Sequence, residues 1–168
     1  MPIKYKKITV DDAEIFRKFL LTVSSETDFL LSTTAENDVG IEKIRNQIDF
    51  VNKHHSYNLI IAELEGLIVG YIYAFPVQGF KKMHSCQIVV AVLKSHWRMG
   101  ISKSLLQSII FWHREAGYKR LELSVASTNA AAIGLYNLFG FEVEGIKKKS
   151  FLFNSDYVDE ILMAKIVN

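Results

Sequence analysis

The stretch Trp97-Arg98-Met99-Gly100-Ile101-Ser102-Lys103 joins a strand-like segment to a helical one and contains no carboxylate. A helix start leaves its first amides without acceptors, and the helix dipole adds partial positive charge there. Gly100 has no side chain, so a ligand can approach the backbone closely, and Arg98 and Lys103 add cations. The arrangement suits a phosphate or pyrophosphate, although a strand–glycine–helix junction also serves as a plain turn. Neither GxxxxGK followed by Ser or Thr nor GxGxxG occurs, which disfavours a kinase or a dinucleotide enzyme.

Elements flanking this loop must hold it. "QIVVAV" before it reads as a strand, and Ile101, Leu105, Ile109, Trp112 and Ala116 form one helical face after it, widened by Leu106 and Ile110. Upstream, "YKKITV" reads as a strand, with Thr9 capping a helix whose apolar stripe is Phe16, Phe19, Leu20 and Val23. "SSETDFLLSTTAEND" reads as a loop or broken helix. Ile41, Ile44, Ile48 and Val51 mark a second helix. "NLIIAEL" and "LIVGYIYAFP" flank Glu65-Gly66 as a hairpin. Tyr71, Tyr73 and Phe75 share one strand face, for core packing or for a pocket. "LELSV" is a strand, "TNAAAIGLYNLFG" a helix closed by Gly140, and "FEVEGI" and "DEILMAKI" are final strands. The order predicts an α/β (α+β) fold with a mixed sheet. Helical crossovers make part of it parallel among "QIVVAV", "LELSV" and "FEVEG".

The chain has 168 residues, 49% hydrophobic and 23% charged, with a formal net charge of +2. That length and the absence of linkers, repeats or low-complexity segments predict one domain over residues 1–168. The small positive charge gives no reason to expect nucleic-acid binding. Cys86 is the only cysteine, which excludes an intrachain disulfide and a multi-cysteine zinc site. His54-His55 has no third ligand at useful spacing, so no metal is expected. "MPIKYKKITVDD" has no signal-peptide core, and no apolar run approaches the ~18 residues of a membrane span. The cytoplasm is the expected location, with no membrane partner.

Downstream, Asn129, Ala132, Leu135, Tyr136, Gly140, Phe141 and Gly145 form an N..A..LY...GF...G pattern. With the Trp97–Ser102 loop, it resembles the GCN5-related N-acetyltransferase (GNAT) family over nearly the whole chain. The tail Asp156-Tyr157-Val158-Asp159…Met163 is similar to a branch containing polyamine and ribosomal-protein acetyltransferases. Two positions depart from the family loop: Trp97 stands for Gln or Arg, and Ser102 for Gly or Ala.

The resemblance implies a central sheet of about seven strands with flanking helices and a splayed parallel pair, "QIVVAV" and "LELSV". It implies acetyl-CoA as co-substrate. Backbone groups of Val90, Ala91 and Val92 would hold the pantetheine arm and thioester carbonyl. Amides from Trp97 through Arg98, Met99, Gly100, Ile101 and Ser102, with Lys103 nearby, would cradle the pyrophosphate. Asn129 and Ala132 would meet the pantetheine side, and the Tyr136 hydroxyl would face the sulfur as general acid. The family chemistry is direct attack of a primary amine on the thioester. A phenol near pKa ~10 stays protonated at neutral pH and can serve the leaving thiolate.

For the base, His84, Glu26, Asp28, Glu122 and, through water, Gln87 are candidates, His84 because it opens the strand leading to the acetyl site. Cys86 reads as a structural thiol rather than a nucleophile. Glu26, Asp28, Glu36 and Asp38 would make an acidic pocket for a polyamine, or only a solvated loop. Lys147-Lys148-Lys149 is a solvated face or a contact for an acidic partner. The acceptor is an amine on a small molecule, polyamine or peptide N-terminus, and edge strands near the C-terminus permit a homodimer. The alternative at this stage is a catalytically silent CoA-binding or regulatory module, with Trp97 and Ser102 marking a decayed cradle.

Overall fold

A computed structural model describes residues 2–27, 29–30, 33–153 and 155–167. Backbone contacts group the chain into two compact units, Met1–Phe75 with Val89–Ala116, and Pro76–Ile88 with Gly117–Asn168. The strands are β1 (Lys4–Lys7), β2 (Asn58–Leu64), β3 (Leu67–Pro76), β4 (Ser85–Val92), β5 (Arg120–Ala126), β6 (Glu142–Phe153) and β7 (Asp156–Ile166). They form one seven-stranded sheet in the order β1-β2-β3-β4-β5-β7-β6. The helices are α1 (Ala13–Glu26), α2 (Thr34–Asn37), α3 (Ile41–Lys53), α4 (Ile101–Ala116) and α5 (Ala130–Leu138). Among the described residues, no helix is long and apolar enough to cross a membrane.

In the first unit, α1 and α3 bury the expected stripes. Phe16, Phe19 and Val23 pack with Ile44, Ile48 and Val51 against Leu59, Ile61, Ile68 and Ala91. Leu20 and Ile41 are half-buried at the edge of this core. A capping box precedes α1. The Asp12 carboxylate accepts from the Thr9 amide and hydroxyl at 2.8 Å each, and residues 10–12 form a 3-10 turn before the helix proper. Within "SSETDFLLSTTAEND" the one-turn α2 forms, because Thr33 and Glu36 cap each other in the same way.

The β2–β3 hairpin turns at Glu65 and Gly66, with φ of +53° and +80°. Two consecutive left-handed residues match a type I′ turn, which suits a sheet's right-handed twist. Its register then slips: Ala62 opposes Gly70, but Glu63 opposes Ile68. The extra residue, Val69, reverses the alternation, so even-numbered Ile68 and odd-numbered Tyr71 and Tyr73 pack on the same core.

In the second unit, β4 and β5 pair in parallel from Ser85↔Arg120 to Gln87↔Glu122, and each strand continues beyond the last pair. The expected parallel part of the sheet is the β4–β5 pair; "FEVEG" runs in the same direction as β5 but does not pair with it. β7 lies between β5 and β6 and is antiparallel to both, so β6 is an edge strand. The crossover through α5 therefore skips one position, which the last strand fills. On α4, His113 is buried in place of the expected Trp112, which is half-buried.

Candidate active site

In the first unit, β4 ends at Val92, a 3-10 turn covers Lys94–His96, and the loop enters α4 at Ile101. Arg98 and Gly100 both adopt left-handed φ, +63° and +78°. The Gly100 carbonyl accepts from the Ser104 amide at 3.1 Å, the first bond of α4. The amides of Ile101, Ser102 and Lys103 precede that bond and so have no partner inside the helix. A Cβ built at Gly100 meets nothing within 4 Å, so the mouth of the loop is open.

Trp97 does not crowd this mouth. Its indole Nε1 donates to the Val92 carbonyl at 2.9 Å, folding the ring back onto the end of β4. Its amide donates to the Lys94 carbonyl at 3.2 Å. Of the expected cradle donors, the Trp97 N–H is therefore already engaged, and the residue acts through its side chain instead.

Glu26 closes α1 and accepts from the Lys94 amide at 2.8 Å. This carboxylate, a candidate base by sequence, thus caps the 3-10 turn that launches the loop. Asp28 lies outside the described residues. Asp38 pairs with Arg17 at 2.5 Å, and Glu36 caps α2. The three described acidic residues of the expected polyamine pocket are spent on local structure.

Gly70 is a position that the sequence pattern leaves without a role. A Cβ there would lie 3.0 Å from Val92 Cγ2, 3.1 Å from Ile101 Cγ2 and 3.2 Å from the Ala91 carbonyl oxygen. β3 can approach the end of β4 and the first residue of α4 only because this side chain is missing. The signal that could have found it is an isolated glycine inside a strand pattern.

The same unit holds an open cavity of about 740 Å³ bounded by α1, α3, β2 and β3. Phe16, Phe50, Tyr71 and Tyr73 supply its aromatic wall, and Lys43 and Gln47 its polar edge. Phe16 and Tyr71 meet edge to face at 5.7 Å. Burial pushes the Tyr71 phenol up to about 12. Tyr71, Tyr73 and Leu93 pack on the core that contains Ala91 of β4.

In the second unit, Asn129 caps α5, its Oδ1 accepting from the Ala132 amide at 3.1 Å. Ala132's N–H is thereby occupied, while the Asn129 amide group keeps its Nδ2 donors. Tyr136 is the buried residue of α5, and its ring lies 5.9 Å from Phe141. Burial pushes its phenol up to about 12. Gly140, at φ +76°, ends the helix, and the Phe141 amide returns to the Tyr136 carbonyl at 3.0 Å.

His84 is exposed and precedes the first residue of β4, six residues before Val90. Along an extended strand that is roughly 20 Å, beyond the reach of an imidazole toward the Val90–Val92 backbone. Glu122 pairs with Arg120 at 2.8 Å, and Arg120 also binds Glu144, which holds the Glu144 carboxyl below its usual range. Cys86 is fully buried in β4, its thiol 3.6 Å from the Gln87 carbonyl. Lys147 and Lys148 pair with Glu160 and Asp159 at 3.2 and 2.8 Å across the β6–β7 hairpin.

The acetyltransferase (GNAT) family profile matches residues 25–141. This chain belongs to the GNAT acetyltransferase family. The curated relatives it matches are named N-acetyltransferases. L-amino acid N-acetyltransferase AaaT of Escherichia coli K12 is 33% identical over 112 residues, 64% of this chain and 67% of that protein. The chain spans 42% of N-acetyltransferase family 8 member 2 from Rattus norvegicus, at 30% identity. A GNAT acetyltransferase from Streptococcus pneumoniae superposes with a TM-score of 0.94 at 26% identity, covering 99% of this chain and 100% of that one. Ribosomal-protein-alanine N-acetyltransferase from Brucella melitensis gives 0.86 at 25% identity, covering 98% and 99%. An acetyltransferase from Salmonella typhimurium solved with its cofactor acetyl-CoA shares the fold, with a TM-score of 0.88 at 17% identity over 100% and 95% of the two chains. The expected fold and the ribosomal-protein side of the expected branch are both met.

Proposed function

We propose that this GNAT acetyltransferase acts on an α-amine, that of an amino acid or a peptide N-terminus. Two relatives support the acceptor class by name, one acting on L-amino acids and one on ribosomal-protein alanine. The observation that carries the cofactor assignment is the loop itself. Two left-handed residues, Arg98 and Gly100, lead the chain into α4, whose first three amides have no partner inside the helix, and a Cβ at Gly100 meets nothing within 4 Å. That is the donor chemistry a pyrophosphate requires. In this reading the amides of Ile101, Ser102 and Lys103 hold the pyrophosphate, with Arg98 and Met99 shaping the loop, and Trp97 fixes it to Val92. Backbone groups of Val90, Ala91 and Val92 hold the pantetheine arm.

Acetyl-CoA, when bound, supplies an activated acetyl thioester. Tyr136 contributes a phenol that stays protonated across the physiological range. Full transfer of its proton to a thiolate of pKa ~8.5 would be uphill by about 3.5 units, or about 5 kcal/mol. A phenol raised this far can donate a hydrogen bond to a leaving sulfur but not a whole proton, and that is the role proposed for Tyr136. Glu26 is a cap and His84 stands at the wrong end of β4, so neither is given the role of base, and in this reading the amine gives up its proton to water.

Calorimetry with acetyl-CoA and CoA tests the cradle. Wild type should bind, and Gly100→Glu should not. Gly100→Ala separates backbone strain at φ +78° from blocking, and should keep more affinity than Gly100→Glu. Equal binding by wild type and Gly100→Glu would remove the cofactor from this loop.

A further inference from the structure

The acceptor's chemistry is written in the charge of the 740 Å³ cavity, and this inference rests on the N-acetyltransferase reading above. Its aromatic wall, Phe16, Phe50, Tyr71 and Tyr73, is joined by one charged side chain, Lys43, and by no carboxylate among the described residues. On α3, Lys43, Gln47 and Phe50 fall at i, i+4 and i+7, a stripe beside the buried Ile44, Ile48 and Val51. That stripe therefore runs along the cavity from a cation at the start of α3 to an aromatic ring near its end. Lys43 forms no ion pair among the described residues, whereas Lys18, Arg17, Arg45 and Lys53 of the same two helices are all paired.

A dication or trication such as a polyamine would meet repulsion here and find no counter-charge. An amine with a large apolar body and an anionic group finds both partners. Sites of this volume are commonly apolar with a few placed polar groups. Two residues of that wall, Tyr71 and Tyr73, pack on the core that contains Ala91, in the strand segment assigned to the thioester.

We infer that the acceptor is a free amino acid with a large apolar side chain, bound with that side chain against the aromatic wall and its carboxylate on Lys43. The reaction balances through water: the neutral α-amine forms the N–C bond as the C–S bond breaks, its nitrogen loses one proton to water, and the departing thiolate takes one proton from water.

The probes are L-phenylalanine, L-phenylalaninamide, L-alanine and spermidine, with acetyl-CoA as donor. Wild type should prefer L-phenylalanine to its amide by tenfold or more in kcat/KM. Lys43→Ala should raise KM for L-phenylalanine about tenfold with kcat held, leave the amide unchanged, and so erase the preference, because uniform binding is lost. Lys43→Arg should restore it. Gln47→Trp, which fills the cavity from an exposed position, should lose L-phenylalanine and spare L-alanine. A readout free of turnover is the melting temperature: about 10 mM L-phenylalanine at a Kd near 1 mM should raise it by about 3 °C in wild type and not in Lys43→Ala. Acid and amide used equally by wild type, an equal KM change for both in Lys43→Ala, or a preference for spermidine would each overturn the inference. Acetyl-CoA calorimetry on the same preparations separates the failures. Intact cofactor binding without carboxylate discrimination sinks only the acceptor, whereas absent cofactor binding sinks the proposed function while the melting shift still reports on the cavity.

Discussion

Gly70→Ala puts one methyl group into the tightest place the structure shows beside the cradle. The new carbon would sit 3.0 and 3.1 Å from the methyls of Val92 and Ile101, and 3.2 Å from the Ala91 carbonyl oxygen. Ordinary contact begins near 3.4 Å, so all three neighbours must retreat by a few tenths of an ångström. Two are ends of fully packed β-branched side chains with stiff χ1, and the third is backbone. Overpacking of this kind costs about 1–3 kcal/mol. For a domain of this size that is roughly 2–12 °C in melting temperature. Displacement of Val92 also moves the carbonyl that anchors Trp97, so affinity for acetyl-CoA should fall together with stability. Gly134→Ala is the control: α5 holds Gly134 where an added Cβ meets nothing within 4 Å, so the exchange should stabilise by up to about 1 kcal/mol. Thermal denaturation and calorimetry on both variants decide the matter. A Gly70→Ala protein that melts with wild type and binds acetyl-CoA equally well would refute the reasoning that this glycine sets the approach of β3 to the cradle.

Trp97→Phe keeps an aromatic ring and deletes the donor to the Val92 carbonyl. It should cost about 1 kcal/mol of stability and weaken acetyl-CoA binding several-fold, as calorimetry would show, while Trp97→Arg should not rescue it. Alkaline pH should destabilise the fold, as pH-dependent denaturation would show. Tyr71 and Tyr136 have phenols raised from 10.0 to about 12, so the unfolded chain releases their protons first. Their contribution is whole below pH 10 and is lost as pH rises from 10 to 12, by roughly 2–3 kcal/mol for each residue. Tyr136→Phe should reduce that alkaline loss by about half.

What the sequence made legible is what depends on backbone and periodicity. The apolar stripes of α1 and α3 fall where 3.6-residue spacing puts them, and Gly66, Gly100 and Gly140 take the left-handed conformations their positions demand. The place of β7 was hidden, because an inserted antiparallel strand and a direct parallel neighbour have the same apolar pattern. The phase reversal at Val69 was hidden too, since it arises from a register slip against β2 rather than from any residue of unusual type.

Side-chain roles were legible in kind but not in occupancy. Glu26, Asn129 and Trp97 carry groups that a cofactor or substrate could use, and the sequence states only that those groups exist. The fold assigns the Glu26 carboxylate to the Lys94 amide, the Asn129 oxygen to the Ala132 amide and the Trp97 amide to the Lys94 carbonyl. Each forms because an orphan group at a helix or turn end would otherwise go unpaired, the last two within three residues and the first across 68. The converse holds for Lys43. Among the described residues it alone of the lysines and arginines of α1 and α3 has no carboxylate partner, and it borders the aromatic cavity. That contrast between the paired cations and Lys43 is the ground on which an anionic group is proposed for the acceptor.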